Sequence, residues 1–417
     1  MKRALAAATA LSFCFATAAH AQDAETPTEA TSSAGPTVGY YDEGGNWIPP
    51  SRGRAPDTDN CPQATWPPEP VSTSERAASS PSPLPVLFDG PCGITAADGY
   101  QVPDGVVASS WLVADLDSGD VVAMKDPHGR YRPASIIKVL LALTVIDELP
   151  LDQKVPVSAE SAGQEGSAAG IGEGGDYTVE DLLTGLLLSS GNDCAHALAQ
   201  ALGGDELALG KVNALAKKLG MSDTRATSYS GLDGAGMSTS AWDMGLAYTA
   251  AFADPTFTRI VDTEHTTFPG FDDLPPFELW NDNQLYLNDP DGIGGKTGYT
   301  DDANHTFVGA VNHEGRRLVA VVLDTSAYDH RPWEQAQMLL HEAYGVRSSV
   351  AKLEPLSEKS PETTTAAPTP APAPEQAGEE TTWNRWWSYL IVAAVLALAA
   401  LATAFSLGTA EKPRRRR

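Results

Sequence analysis

Two hairpin patterns stand at opposite ends of one stretch of this chain, and helical sequence fills the space between them. "SSWLVADLDSGDVVAMKD" (109–126) is two apolar runs around the turn residues Asp117-Ser118-Gly119-Asp120. "HTFVGAVNHEGRRLVAVVLDTS" (305–326) repeats the pattern with its turn at Asn312–Arg316, and "GIGGKTGYT" (292–300) reads as a strand ahead of it. Between them, "RPASIIKVLLALTVI" (132–146), "YTVEDLLTGLLLSSGNDCAHALAQALGG" (177–204) and "DELALGKVNALAKKLGM" (205–221) are helical. "RPWEQAQMLLHEAYG" (331–345) closes the region as a helix. A sheet whose hairpins come from both ends of a region must pair those ends. The expected fold is therefore α+β, with a largely antiparallel sheet flanked by helices and a mostly helical subdomain.

The middle helices carry one break and one misplaced charge. Thr178 with Asp181 three residues later predicts a capping box, and Ser190-Gly191-Asn192 predicts a break between two helices. Lys138 is the second oddity, because it follows Ser135 by three positions and enters the apolar run Val139–Leu143. A lysine charge driven into apolar surroundings is costly unless something uses it. Positions i and i+3 share a helix face, so Ser135 and Lys138 can touch, and a desolvated amine can take the proton of a serine hydroxyl. The tetrapeptide alone also fits a lysine snorkelling from an ordinary helix.

Composition narrows the setting. The chain has 417 residues, 42% of them hydrophobic, and a formal net charge of -26. That acidity argues against a nucleic-acid partner, which needs a basic face. "MKRALAAATALSFCFATAAHA" (1–21) has the basic start, apolar run and small-residue cleavage site of a secretory signal. "WWSYLIVAAVLALAALATAFSLG" (386–408) is long enough to cross a bilayer, and the basic tail 409–417 places that end in the cytoplasm. The expectation is a single-pass protein of a bacterial cell membrane with residues 22 to about 385 outside.

Residues 22–99 form a Pro/Ser-rich extended region, and 348–385 form a Pro/Thr-rich linker of polyproline-like reach, on the order of 100 Å at about 3.1 Å per residue. Cys61 and Cys92 can pair in an oxidising compartment, whereas Cys194 lies in a helical run and reads as a buried free thiol. His196 reads as a helix surface or packing residue rather than a general base. The starts His313-Glu314 and His341-Glu342 run on to Arg317 and Gly345, so neither makes a zinc-binding HExxH. No metal or cofactor is expected.

Three short motifs then fall in order: Ser135-x-x-Lys138, Ser190-x-Asn192 and Lys296-Thr297-Gly298. Together they form the signature of β-lactamases and penicillin-binding proteins. Residues 100–347 resemble the serine-type D-alanyl-D-alanine carboxypeptidases, the low-molecular-mass penicillin-binding proteins. The likeness extends to "RPASIIK", "SGLDGAGMSTS", "KTGYT" and "RRLVAVVLDTS". The resemblance implies a serine D,D-carboxypeptidase acting on peptidoglycan stems that end in D-Ala-D-Ala, with β-lactams as covalent inhibitors. By it, Ser135 is the nucleophile, Lys138 its base, and Ser190 the group that passes the proton to the leaving amine. Asn192 would bind the substrate backbone, Lys296 would supply positive potential, and Thr297 would bind the terminal carboxylate. The backbone N–H groups of Ser135 and Tyr299, on the strand of Gly298, would form the oxyanion hole. Arg331 matches a family arginine that helps hold the carboxylate, and it also reads as a surface residue at a helix start.

The motifs leave a D,D-endopeptidase, a β-lactamase or a catalytically weak β-lactam sensor as alternatives on the same site. No Glu-x-x-Leu-Asn stretch follows Asn192, so efficient penicillin hydrolysis is not expected. Many relatives carry a second, β-rich domain. Here the chain passes from Gly345 into the linker, so inferences about such a domain do not transfer.

Overall fold

The computed structural model describes residues 51–72 and 81–356, together with two short strands, Tyr40–Tyr41 and Trp47–Ile48. The expected signal peptide, most of the linker, the membrane span and the basic tail lie outside the described residues. Among the described residues, no helix is long and apolar enough to cross a membrane.

The central sheet collects strands from both ends of the described chain, as the hairpin pattern requires. In chain order they are β1 (Ile94–Ala96), β2 (Ser110–Asp115), β3 (Asp120–Lys125), β4 (Gly292–Thr300), β5 (Asn304–His313), β6 (Arg316–Thr325) and β7 (Ala351–Lys352). Their spatial order is β4-β5-β6-β2-β3-β7, with β1 also on β3, and every pairing is antiparallel. β6 pairs with β2, Val321 opposite Leu112, which brings together strands about 200 residues apart.

Both faces of the sheet are covered, and the strands alternate between them. On β6, Val319, Val321 and Leu323 enter one apolar cluster, while Leu318, Ala320 and Val322 enter the other. β2 divides in the same way, with Leu112 and Ala114 on one face and Trp111 and Val113 on the other. Period-two alternation of side chains with both faces apolar makes the near-continuous hydrophobic runs seen in the sequence.

The helical lobe packs on one face. It comprises α1 (Lys138–Glu148), α2 (Val179–Leu188), α3 (Asn192–Ala201), α4 (Asp205–Lys218) and α5 (Ala241–Ala253). On the other face lies α6 (Pro332–Ala343), which buries Ala336, Leu339, Leu340 and Ala343 at helical spacing. The capping box of Thr178 and Asp181 is present at the start of α2. α4 buries only Ala208, Val212 and Ala216, one residue per turn, and has acids in its first turn and lysines in its last. Asn192 opens α3 rather than lying in the break.

Two expected boundaries move. β1 precedes residue 100 and β7 lies in the stretch read as linker, yet both pair with β3. Strands of two or three residues are too short to show periodicity, so only their partner reveals them.

The described part of the N-terminal region is irregular but docked. Cys61 and Cys92 are joined by a disulfide. The Arg52 guanidinium donates to Asp324 Oδ1 at 2.5 Å and to Ser109 Oγ at 2.9 Å. Arg130 donates to the carbonyls of Thr65, Leu84 and Pro85 at 3.0, 2.7 and 2.7 Å. Asp302, in the turn after β4, accepts from the backbone N–H groups of Val71 and Ser72 at 2.6 and 2.7 Å. Buried side chains thus satisfy backbone groups in residues 65–72 and 84–85, which belong to no strand.

Candidate active site

Ser135 lies in a 3-10 turn, Ala134–Ile137, that leads directly into α1. Ala134 has φ 48°, a left-handed conformation that costs energy for a residue with a Cβ. The turn is held against that cost. Thr306 Oγ1 donates to Pro133 O at 2.8 Å and Tyr248 Oη to Ile136 O at 2.9 Å. Two glycines let the backbone close around the nucleophile. A Cβ on Gly231 would stand 2.0 Å from Ala134 O, and one on Gly298 would stand 3.1 Å from Ser135 N.

Lys138 is completely buried, and its Nζ donates to Ser135 Oγ at 2.8 Å, Asn192 Oδ1 at 2.7 Å and Ser230 O at 2.6 Å. An ammonium has three donors and all three are used. A neutral amine has two donors and a lone pair. With Asn192 Oδ1 and Ser230 O taking the two donors, the lone pair is left for the Ser135 hydroxyl. Burial pushes the Lys138 ammonium well below its ordinary range, and the positive charge of Lys296 pushes it the same way. The geometry therefore suits proton transfer from Ser135 to Lys138.

Asn192 is occupied at both ends of its amide, because its Nδ2 also donates to Glu165 O at 2.6 Å. The neighbouring Asp193 carboxylate accepts from the backbone N–H groups of Ala169, Gly170 and Ile171 at 3.0, 2.8 and 3.2 Å. The start of α3 thus fixes both the lysine and the loop after Glu165. Ser190 is buried and left-handed at φ 62°, in the break between α2 and α3. Cys194 is a buried free thiol, and burial raises its pKa well above the usual value. His196 is buried one turn after Asn192 on α3, with its Nδ1 2.8 Å from Ser161 Oγ.

Lys296, Thr297, Gly298 and Tyr299 lie on β4, an edge strand with no strand partner on its outer side among the described residues, an arrangement to which an extended peptide can add. Lys296 is 1% exposed and its Nζ donates to Thr297 O at 2.9 Å and Thr297 Oγ1 at 3.2 Å. Burial lowers its pKa, and the Asp282 carboxylate opposes that shift. Thr297 Oγ1 donates to Asp282 Oδ2 at 2.8 Å. Arg331 caps the start of α6 and lines, with Asp282, Thr297, Gly298, His305 and Trp333, a pocket of about 160 Å³. Arginine and threonine at the mouth of one pocket suit a carboxylate.

The structure brings both Ser135 and Asn192 into contact with Lys138 and sets β4 against the same turn. Sequence reasoning missed Asp282, Asp193 and the Ser230 carbonyl. "Asn281-Asp282-Asn283" looks like an ordinary turn, and a backbone carbonyl has no sequence signature at all.

Comparison with known proteins points to one family. The family model described as D-alanyl-D-alanine carboxypeptidase matches residues 97–327. A D-alanyl-D-alanine carboxypeptidase of Mycobacterium tuberculosis is 42% identical over 250 residues, covering 59% of this chain and 85% of that protein. A crystal structure of a D-alanyl-D-alanine carboxypeptidase from the same organism superposes with a TM-score of 0.59 at 40% identity, covering 62% of this chain and 98% of that one. A D-alanyl-D-alanine endopeptidase of Pseudomonas aeruginosa is 30% identical over 265 residues, covering 62% of this chain and 82% of that protein. With the three motifs gathered on one cleft and the match running through all of them, the chain belongs to the D-alanyl-D-alanine carboxypeptidase family.

Proposed function

We propose that this chain is a serine D,D-carboxypeptidase that removes the terminal D-alanine from peptidoglycan pentapeptide stems through an acyl-enzyme on Ser135. The observation that carries this is the buried Lys138 amine, 2.8 Å from Ser135 Oγ and held by two further acceptors. Ser135 Oγ attacks the carbonyl between the two D-alanines as Lys138 takes its proton. The carbonyl oxygen becomes an oxyanion facing the N–H groups of Ser135 and Tyr299, where charge exists only near the transition state. The C–N bond breaks, Ser190 passes a proton to the leaving amine, and free D-alanine departs. Water then attacks the ester and releases the shortened stem. Thr297 and Arg331 hold the terminal carboxylate, and Lys296 gives their end of the cleft its positive potential. β-Lactams acylate the same serine.

The sequence signals at the two ends support a catalytic region outside the cell membrane, tethered by the span 386–408 and the linker. A D,D-endopeptidase reading is favoured by one observation, the similarity to the Pseudomonas aeruginosa endopeptidase.

One assay separates these readings. The full-length chain in detergent is incubated with a peptide ending in D-Ala-D-Ala and with a crosslinked stem dimer. Stoichiometric release of free D-alanine, blocked by penicillin, is the expected result. Cleavage of the dimer alone would favour the endopeptidase. Stable penicillin labelling with no cleavage of either substrate would leave a sensor.

A further inference from the structure

The two lysines of this cleft are both fully buried, and burial disfavours the charge on each. The proposed chemistry nevertheless needs one neutral amine and one cation. We propose that Asp282 makes that assignment: its carboxylate keeps Lys296 the charged amine and so leaves Lys138 the neutral one. This rests on the function proposed above, in which Lys138 is the base.

The placement of Asp282 is rigid. Its own N–H donates to Leu188 O at the end of α2 at 2.8 Å. On one side, Asn281 Nδ2 donates to the carbonyls of Val261 and Thr263 at 3.1 and 2.9 Å. On the other, Asn283 Oδ1 accepts from the N–H groups of Leu285 and Tyr286 at 3.1 and 3.2 Å. Asp282 Oδ2 accepts from Thr297 Oγ1 at 2.8 Å, and that oxygen accepts from Lys296 Nζ at 3.2 Å. The hydrogen bonds therefore run from the Lys296 ammonium through Thr297 to the carboxylate. Asp282 Oδ1 is buried and has no hydrogen-bond partner among the described residues. A buried carboxylate oxygen left unpaired is costly, so its retention calls for an electrostatic reason.

Asp282 acts on both amines. Lys138 faces it from α1 and Lys296 from β4, while His305 on β5 and Arg331 at the start of α6 line the same pocket. Asp193 and the Cys194 thiol act on Lys138 from α3. Lys296 depresses Lys138, Asp282 raises both amines, and among the described residues Asp282 is the one charged group that raises Lys296. A carboxylate that acts on two buried amines favours the proton on the amine whose hydrogen bonds lead to it. That amine is Lys296.

The test is Asp282→Asn, which removes the charge and keeps an acceptor for Thr297. With the full-length chain in detergent, kcat/KM for D-alanine release and the rate of acylation by a fluorescent penicillin are followed across pH. The wild type should give a bell, its acid limb set by Lys138 and its alkaline limb by Lys296. Loss of a negative charge lowers both amine pKa values. Both limbs should therefore move toward acid, the alkaline limb farther, by about one to two pH units. Above neutral pH the rate should fall about 10- to 100-fold, and Asp282→Glu should return the limbs toward their wild-type positions. If Asp282→Asn lowers the whole profile and leaves both limbs in place, Asp282 only positions Thr297 and the inference is wrong. If the asparagine variant does not fold, Asp282→Ser is read by the same criterion. A wild type that acylates but releases no D-alanine overturns the proposed reaction instead, and the acylation profiles still decide the role of Asp282.

Discussion

The helical wall of the cleft and its strand wall each hold one buried lysine, and they treat it differently. On the helical side, Lys138 is enclosed by Ser135, Asn192 and Ser230, and Asn192 is itself tied to Glu165. On the strand side, Lys296 bonds to its own neighbour Thr297, and the outer edge of β4 has no strand partner among the described residues. A closed network fixes a reacting atom, whereas an open edge with a nearby cation receives a ligand. In the proposed function, bond-making falls to the helices and substrate binding to the strand.

The largest effects should come from the helical wall. Ser135→Ala should abolish labelling by a fluorescent penicillin, and Lys138→Ala should slow it about 10²- to 10⁴-fold, the range for loss of a general base. Normal labelling of either variant, with an unchanged melting temperature, would break the assignment of chemistry to that wall. Next is the disulfide, which closes a loop with a sequence separation of 31 residues. Replacing Cys61 and Cys92 by alanine should lower unfolding stability by about 3–4 kcal/mol in denaturant titrations. Asp302 links this arm to the turn after β4, so any catalytic change should appear in KM rather than kcat.

Smaller again, Arg331→Ala should raise KM for a peptide ending in D-Ala-D-Ala about tenfold with kcat nearly unchanged, the cost of one charge-assisted hydrogen bond. A fall in kcat with KM constant would move Arg331 out of substrate binding. The smallest effect concerns Asp233, whose Oδ1 accepts from Thr300 Oγ1 at 2.7 Å beside β4. Burial pushes its carboxyl up to about 6, so the folded protein holds that proton more tightly than the unfolded chain does. This group adds stability as pH falls through about 6 toward its ordinary value of 3.8. The melting temperature of Asp233→Asn should therefore fall further behind the wild type between pH 7 and pH 4. A constant gap would show that Asp233 does not titrate there.

Much of the fold was legible because its signals are local. The hairpins around Gly119 and Gly315 show turn chemistry between apolar runs, and the Thr178 capping box announces the start of α2. Ser135 and Lys138 were legible because helical spacing alone brings them within reach of each other. β1 and β7 were not, since two or three residues carry no period. The N-terminal region read as an extended arm because its composition lacks periodicity. Its docking depends on Arg52, Arg130 and Asp302 reaching it from elsewhere in the chain or along it.

The sequence by itself determined the order of the elements, the chemical identity of the motifs and the burial pattern of the strands. All of these follow from spacing along the chain. Only the tertiary structure decided which acceptors Lys138 has, that Asn192 is already committed, and that Asp282 stands behind Thr297. Those facts depend on backbone carbonyls and on pairs separated by 15 to 92 residues. Proton placement in a buried site is set by distance and desolvation, and both exist only once the chain has closed on itself.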